Sequence, residues 1–571
     1  AQLLALSATV NNGEEMAGWL GGKLVTSTWR PVPLSEGVFF RDSVMFRDGR
    51  NHKVEGGEAD PVARMALEVI RGGGQMLVFT GSRLSAVSLA KRLEPAIRAA
   101  LKRKEETKLL EVSSQMLKLG EKTRVSEKLS KAMANGVAFH HAGLTYLQRS
   151  AVEDAFRSFL IKCICATPTL CLPEGEEVFR TGPPIGIEKL DEKDRVLGHT
   201  GHFQKVIAPT SRSYIGEILE ISPYGQLPMR MTPEHKVLIS KGIRRSTHSR
   251  KINRHWWEYG SPEWVEAKKL KKGDFVLFPR IKENIQINGI NLPRLKPLSN
   301  QYGPMGRHWA EMKIDNLPLS EQILELLGIF VAEGCTGKNG AVQFAISSNE
   351  EELTKKITEA IASLGLKYKV KDLERHRRTV ITCSKQLAIK LSDLFGKDAY
   401  SKCLPASFMK LPFEMLCPLI RGMWLGDGWV FSDGMVPMAS YTTISPSLSK
   451  QLYALLVKIG FMPSLAKRKV DQTSQLKPAN GSIVHRHDLY SIKISGKQIV
   501  DFCRIIFGRE ISLKGNRTFN LNHIDENYYY LKIRKIRPLQ YCGQVYNLEV
   551  DNDSSYVGSF VVHSSAGINL P

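Results

Sequence analysis

KCICATPTLC (residues 162–171) and VVHSSAGINLP (residues 561–571) decide how the chain divides. Joined across residues 171–564 they read ATPTL-SAGINLP, an apolar strand leaving through small and hydroxyl-bearing residues into a second apolar run. The outer sequence reads on without the insert. Each cut is followed by a nucleophilic side chain, Cys171 at the first and Ser565 at the second, and the second is preceded by His563 and Ser564. A reaction that removes the insert needs groups of this kind there, because each peptide bond must be attacked and each leaving nitrogen protonated.

At 571 residues the chain is too long for one core, since domains run to roughly 100–200 residues. Lysine and arginine outnumber aspartate and glutamate by 80 to 57, and the net charge of +23 favours a polyanionic partner, nucleic acid first. The nine cysteines include no CxxC pair that would begin a zinc site, and scattered thiols fit a reducing, cytoplasmic setting. No apolar run reaches about 18 residues, so no membrane partner is expected, and a monomer is. Ala1 runs directly into LLALSATV without a charged leader, as the middle of a protein would.

Residues 3–10, 73–83 and 162–170 each read as a strand ending in small or hydroxyl residues, with helical segments between them. Alternation of this kind argues a parallel α/β sheet whose ligands sit at the carboxyl ends of strands. SAT (7–9), VFTGSR (78–83), GVAFHHAGL (136–144) and the joined ATPTL-SAGINLP resemble motifs three to five of superfamily II helicases, most closely archaeal DNA repair helicases of the Ski-two type. The resemblance covers residues 1–170 and 565–571 and implies RecA-like folds acting on host DNA. The family's phosphate-binding loop and acidic box are not found in this sequence, so ATP is expected to serve only the complete helicase. His140 and His141 are open to two roles, a polar turn after a strand or a coupling element.

From Cys171 the sequence turns β-rich, with Thr232-Pro-Glu-His235 between apolar runs and WVEAKKLKKGDFVLFPR at 264–280. These stretches, with QVYNLEVDNDSSYVGSFVVH (544–563), are similar in order and content to the amino- and carboxyl-terminal blocks of inteins. The resemblance implies an all-β Hint-type splicing domain in two parts, 171–310 and 529–564, that needs no cofactor. It casts Cys171 as first nucleophile, His235 as proton donor, Thr232 as the group orienting His235 or bonding the scissile peptide, and Ser565 as second nucleophile. Asn547 stands where many inteins carry aspartate. Inteins usually end His-Asn; here the end is His563-Ser564, and a serine hydroxyl cannot close the imide ring that frees the insert, so arrest as a precursor is expected.

Between the β-rich parts the sequence repeats itself. LLGIFVAEG (326–334) matches IRGMWLGDG (420–428), each ending acid-glycine; Leu353, Ile357 and Ile361 match Leu448, Leu452 and Leu456; KQLAIKLSDLFG from Lys385 matches KQIVDFCRIIFG from Lys497. The offset grows from 95 to 112 residues, so the second copy carries 17 more, placed in the basic loop between Lys467 and His487. Small residues at turn spacing bring helices close, setting Glu333 beside Asp427. The pattern resembles the LAGLIDADG homing endonucleases over about 315–525, and residues 311–528 are assigned to this α+β domain. That implies Glu333 and Asp427 as Mg2+ ligands and catalytic acids, a double-stranded DNA homing site as partner, and a β-saddle lined by Lys369, Lys371, Arg375, Arg377, Arg378, Lys467, Arg468 and Lys469. The basic and aromatic stretch 241–257 is either an added DNA clamp or a solvated hairpin. The rival to the whole assignment is an inert insert that folds and holds DNA.

Overall fold

A computed structural model describes residues 23, 35–54, 60–80, 83–117, 123–141, 144–166, 171–249, 252–293, 315–337, 340–374, 376–431, 437–469, 487–512 and 522–564. LLALSATV, Arg375, the loop 470–486 and the residues flanking both cuts, Leu170 and Ser565, lie outside the described residues. Contacts divide the chain into two units, one made of 1–78, 84–139 and 154–165, the other of 79–83, 140–153 and 166–571. Among the described residues no helix is long and apolar enough to cross a membrane.

The first unit carries the alternating pattern expected of its sequence. Strands Met76–Phe79, Cys163–Ala166 and Val137–His140 form a sheet in that spatial order, separated in sequence by helices Arg83–Ala99, Arg103–Met116, Arg124–Ala134 and Tyr146–Arg157. CICA and VAFH are buried at every position, as strands covered on both faces must be. A short antiparallel meander over Gly37–Phe40, Ser43–Phe46 and Asn51–Lys53 was not anticipated, although Val38-Phe39-Phe40 and Val44-Met45-Phe46 are short apolar runs.

The second unit is built on an eleven-stranded sheet. Its spine is a ribbon of two long antiparallel strands, Phe203–Pro223 and Tyr528–Val550, paired from Val206 with Val550 to Pro223 with Ile533. Strand Phe275–Pro279 joins the ribbon at its Tyr528 end, then Lys236–Ser240, then Val561–His563 and Ser555–Val557. The apolar run 229–240 is not one strand. It breaks into Met229–Met231 and Lys236–Ser240 because Pro233 fills the second position of a turn closed by the His235 amide donating to the Thr232 carbonyl at 3.0 Å.

The duplicated region is two copies of one unit. The first runs helix Glu321–Glu333, strands Gly334–Thr336 and Ala341–Ser347, helix Glu351–Ser363, strands Tyr368–Leu373 and Arg377–Cys383, helix Lys385–Phe395. The second repeats it with helix Phe413–Asp427, strands Gly428–Phe431 and Met438–Thr443, helix Pro446–Lys458, strands Ser464–Arg468 and Leu489–Ser495, helix Gln498–Phe507. Each four-stranded sheet has the order first, second, fourth, third. The extra residues of the second copy fall between its third and fourth strands, as the growing offset requires. The apolar core of this region continues without a break into the eleven-stranded sheet.

Candidate active sites

Three chain segments distant in sequence meet around His235. The Thr232-to-His235 turn is tied to Cys171 in both directions: the Thr232 amide donates to the Cys171 carbonyl at 3.0 Å, and the Cys171 amide donates to Thr232 Oγ1 at 3.3 Å. Thr232 Oγ1 therefore faces the amide nitrogen of Cys171, the first residue of the β-rich stretch. The end of the insert arrives on the other side, because Val237 pairs with Val562 and so places His235 level with Ser564.

His235 is fully buried, and neither ring nitrogen meets full hydrogen-bond geometry. Burial pushes its pKa down to about 4, while the peptide groups of Cys171 and His563 lie close enough to oppose that fall. The ring is therefore neutral at physiological pH, an acceptor on one nitrogen and a donor on the other. His563 places Nδ1 against the carbonyl oxygen of Ser564, its ring held edge-on by Trp264 at 5.0 Å between centroids. Ser564 is buried and its amide donates to the Ser554 carbonyl at 2.8 Å. Asn547 is buried and accepts from Tyr556 at 3.0 Å.

The second site sits where the two motif helices end. They cross with their glycines in mutual contact: a Cβ on Gly328 would fall on the Leu419 carbonyl, one on Gly422 on the Glu325 carbonyl, and one on Gly426 on the Ala332 and Glu333 side chains. Side chains larger than hydrogen cannot occupy that seam, and the helices run together to their last residues, Glu333 and Asp427. Burial, then Asp427 and Glu350, push Glu333 up to about 7. Asp427 is pushed up to about 6 by crowding of its inner edge, although its outer edge faces solvent; Tyr441, donating at 3.4 Å, and Lys402 oppose the rise. Two carboxyls that resist ionising side by side fit a divalent cation, whose charge would remove the repulsion. Among the described residues no third His, Cys, Asp or Glu joins them, so water and phosphate oxygens would complete such a shell.

Lys402 is a member of this site that the sequence did not single out. It is buried, donates to the Phe330 and Gly334 carbonyls at 2.8 Å each, and lies 4.1 Å from the Phe330 ring centre. Burial draws its pKa down to about 8, against the pull of Cys335 and Asp427. The repeat held the signal, since Lys402 stands six residues past Gly396 as Lys514 stands six past Gly508.

The basic residues assigned to the saddle divide by strand parity. Val380 and Thr382 are buried toward the helices, and Arg378 shares their face, tied to Asp372 at 2.6 Å and Glu351 at 2.8 Å. Lys369, Lys371 and Arg377 occupy the open face. In the second copy Lys467 has the parity of buried Leu465 and pairs with Asp488 at 2.9 Å, whereas Arg468 faces outward with Lys493. Arg378 and Lys467 thus drop out of the open face and Lys493 enters it. The stretch 241–257 forms a hairpin of Gly242–Ser249 with Ile252–Tyr259.

Known proteins resemble this chain in two respects. The LAGLIDADG-like domain family matches residues 414–506. The whole chain aligns at 39% identity with the ATP-dependent DNA helicase Hel308 of Thermococcus kodakarensis, spanning 51% of that protein. The alignment with the Thermococcus protein runs the whole length of this chain. Against Hel308 of Pyrococcus horikoshii the alignment holds 180 residues at 40% identity, 32% of this chain and 24% of that protein. The chain therefore spans about half of the Thermococcus relative and about a quarter of the Pyrococcus one. Among solved structures, the homing endonuclease I-DmoI in complex with DNA and Mn covers 34% of this chain and 99% of its own at 15% identity and a TM-score of 0.24.

Proposed function

We propose that residues 171–564 are an intein interrupting a Hel308-type, ATP-dependent DNA helicase, and that residues 311–528 within it are a Mg2+-dependent homing endonuclease. The flanks 1–170 and 565–571 are then helicase, and 171–310 with 529–564 the splicing domain. The observation that carries this is the convergence on His235 of the first residue of the insert and the last strand before its end. The length of the Pyrococcus match, close to that of the two flanks together, supports it.

In the first step the Cys171 sulfur attacks the Leu170 carbonyl carbon; the carbon–nitrogen bond breaks, the sulfur loses its proton and the Cys171 nitrogen gains one. Neutral His235 can accept the first proton and deliver the second, and its depressed pKa makes its protonated form a ready donor. Thr232 Oγ1 holds the leaving nitrogen. Ser565 next attacks the thioester, and placement supplies what its weak nucleophilicity lacks, effective molarities of about 10⁵ M and above being known. His563 polarises the Ser564 carbonyl, but residue 564 carries no amide to attack it. In the endonuclease, Mg2+ held by Glu333 and Asp427 would stabilise the charge developing on phosphate oxygens. Lys402 keeps positive charge beside Asp427, and the open saddle face holds the backbone.

Ser564→Asn tests the assignment. Incubated and weighed by mass spectrometry, that variant is expected to yield an excised piece of residues 171–564 and a product joining Leu170 to Ser565. Persistence of the full-length mass alone would refute the seam and the arrest together.

A further inference from the structure

Strand register sets a charged residue over the first nucleophile. Leu172 pairs with Tyr546 and Pro173 with Val545, and on the neighbouring strand Thr210 pairs with Asn547 and Arg212 with Val545. One residue outward, Cys171 stands level with Asn547 and Thr210. Side chains alternate along strands, so Cys171, Asn547, Thr210 and Arg212 all project from one face. Two strand spacings of about 4.8 Å each separate the Cys171 and Arg212 backbones laterally, a span that an extended arginine covers. The guanidinium is held on that face by the Tyr214 ring, its carbon 5.2 Å from the ring centre. Arg212 itself remains open to solvent while Cys171 is 1% exposed.

From this geometry we propose that Arg212 is a catalytic residue of the first splicing step: it contacts the Cys171 sulfur and stabilises the thiolate that attacks Leu170. The inference rests on the splicing assignment. It answers a difficulty that assignment raises, because the thiolate is the nucleophile and burial works against it. Burial pushes the Cys171 thiol up, and Arg212, by charge and hydrogen bond, pulls it back. The other ionisable groups facing Cys171 are Tyr214 beside Arg212, Glu234 and His235 from the turn, Tyr556 from the strand Ser555–Val557, and His563 across His235. Glu234 raises the thiol, and neutral His235 and the tyrosines carry no compensating positive charge, which leaves Arg212 as the cation in contact.

The test uses the full chain, in which Ser564 prevents release at the second cut. Incubated with 2-mercaptoethanesulfonate between pH 6 and 9.5, the parent is expected to release residues 1–170 as the thiol's thioester, leaving the Cys171 sulfhydryl and a free amino group. Release, followed by intact mass, rises with pH. Arg212→Gln should move the midpoint of that rise upward by about one unit. At neutral pH it should slow release by about three- to fourfold rather than tenfold, because a more basic thiolate attacks faster. Arg212→Lys, which keeps the charge, should return the midpoint most of the way. A midpoint unchanged in Arg212→Gln, whether the rate is uniformly lower or the same, overturns the role of Arg212 and leaves the splicing assignment standing. A folded parent that releases nothing at any pH overturns both.

Discussion

Two carboxyls packed at the ends of crossing helices repel each other unless a proton or a cation lies between them, and Glu333 and Asp427 are both pushed above the ordinary carboxylate range there. The sign of the consequence follows from linkage. Both groups have folded pKa values above their ordinary ones, so from about pH 4.5 to pH 7 the folded chain holds more protons than the unfolded, and stability falls as pH rises across that window. With Asp427 solvent-exposed on one edge, the cost is about 1 kcal/mol. Asp427→Asn should therefore do two opposite things: abolish Mg2+-dependent cutting of the uninterrupted helicase gene, and flatten the loss of stability between pH 5 and 8. Plasmid cleavage and urea unfolding measure the two. A variant that still cuts would remove Asp427 from the site. The acids were legible because each closes a repeated motif before glycine. Arg212 was not, because nothing in the sequence shows that it lies two strands from Cys171.

Elements were read best where one periodicity governs them. The two motif helices end on their acids, at Glu333 and Asp427, and the small residues at turn spacing are indeed where the backbones touch. Strand faces were read less well. A run of lysines and arginines in sequence does not disclose which members share a face until a buried neighbour fixes the parity. Val380 and Ile492 do this in the structure, turning Arg378 inward and bringing out Lys493. The turn at Thr232 was legible as a motif between two apolar runs, and Pro233 at its second position is what parts the strands on either side. For the helix pair the glycine contact sets a strong expectation. Gly422→Val would drive methyl groups into the Glu325 carbonyl and force the helices apart, at a cost of about 1–3 kcal/mol or more. The urea midpoint should drop accordingly and DNA cutting should be lost with the acid geometry. Undiminished stability would show that the helices do not meet there.

At the scale of the molecule, the duplicated region and the eleven-stranded sheet are two folds on one core. Helix Pro446–Lys458 of the second copy is buried at every position from Leu448 to Lys458 except Lys450, whereas its counterpart in the first copy buries only Leu353, Thr354, Ile357, Ala360 and Ile361. The difference is a second neighbour. Tyr453 packs edge-on to Phe278 at 5.4 Å between centroids, Tyr529 donates to the Pro463 carbonyl at 2.9 Å, Lys458 donates to the Glu283 carbonyl at 2.6 Å, and Arg280 donates to the Lys458 carbonyl at 2.8 Å. Lys450, its charge buried beside Glu176, pairs with Glu177. A core shared in this way couples the duplicated region to the eleven-stranded sheet, and unfolding of one exposes the apolar face of the other. Calorimetry of residues 171–564 should accordingly give one transition. Tyr453→Ala, which removes the ring packed on Phe278 at a cost of about 3–5 kcal/mol, should lower that transition as a whole. If the two domains were joined by surface contact alone, two transitions would appear and Tyr453→Ala would move only the endonuclease's, while thiol-induced release at Cys171 kept the temperature limit of the parent.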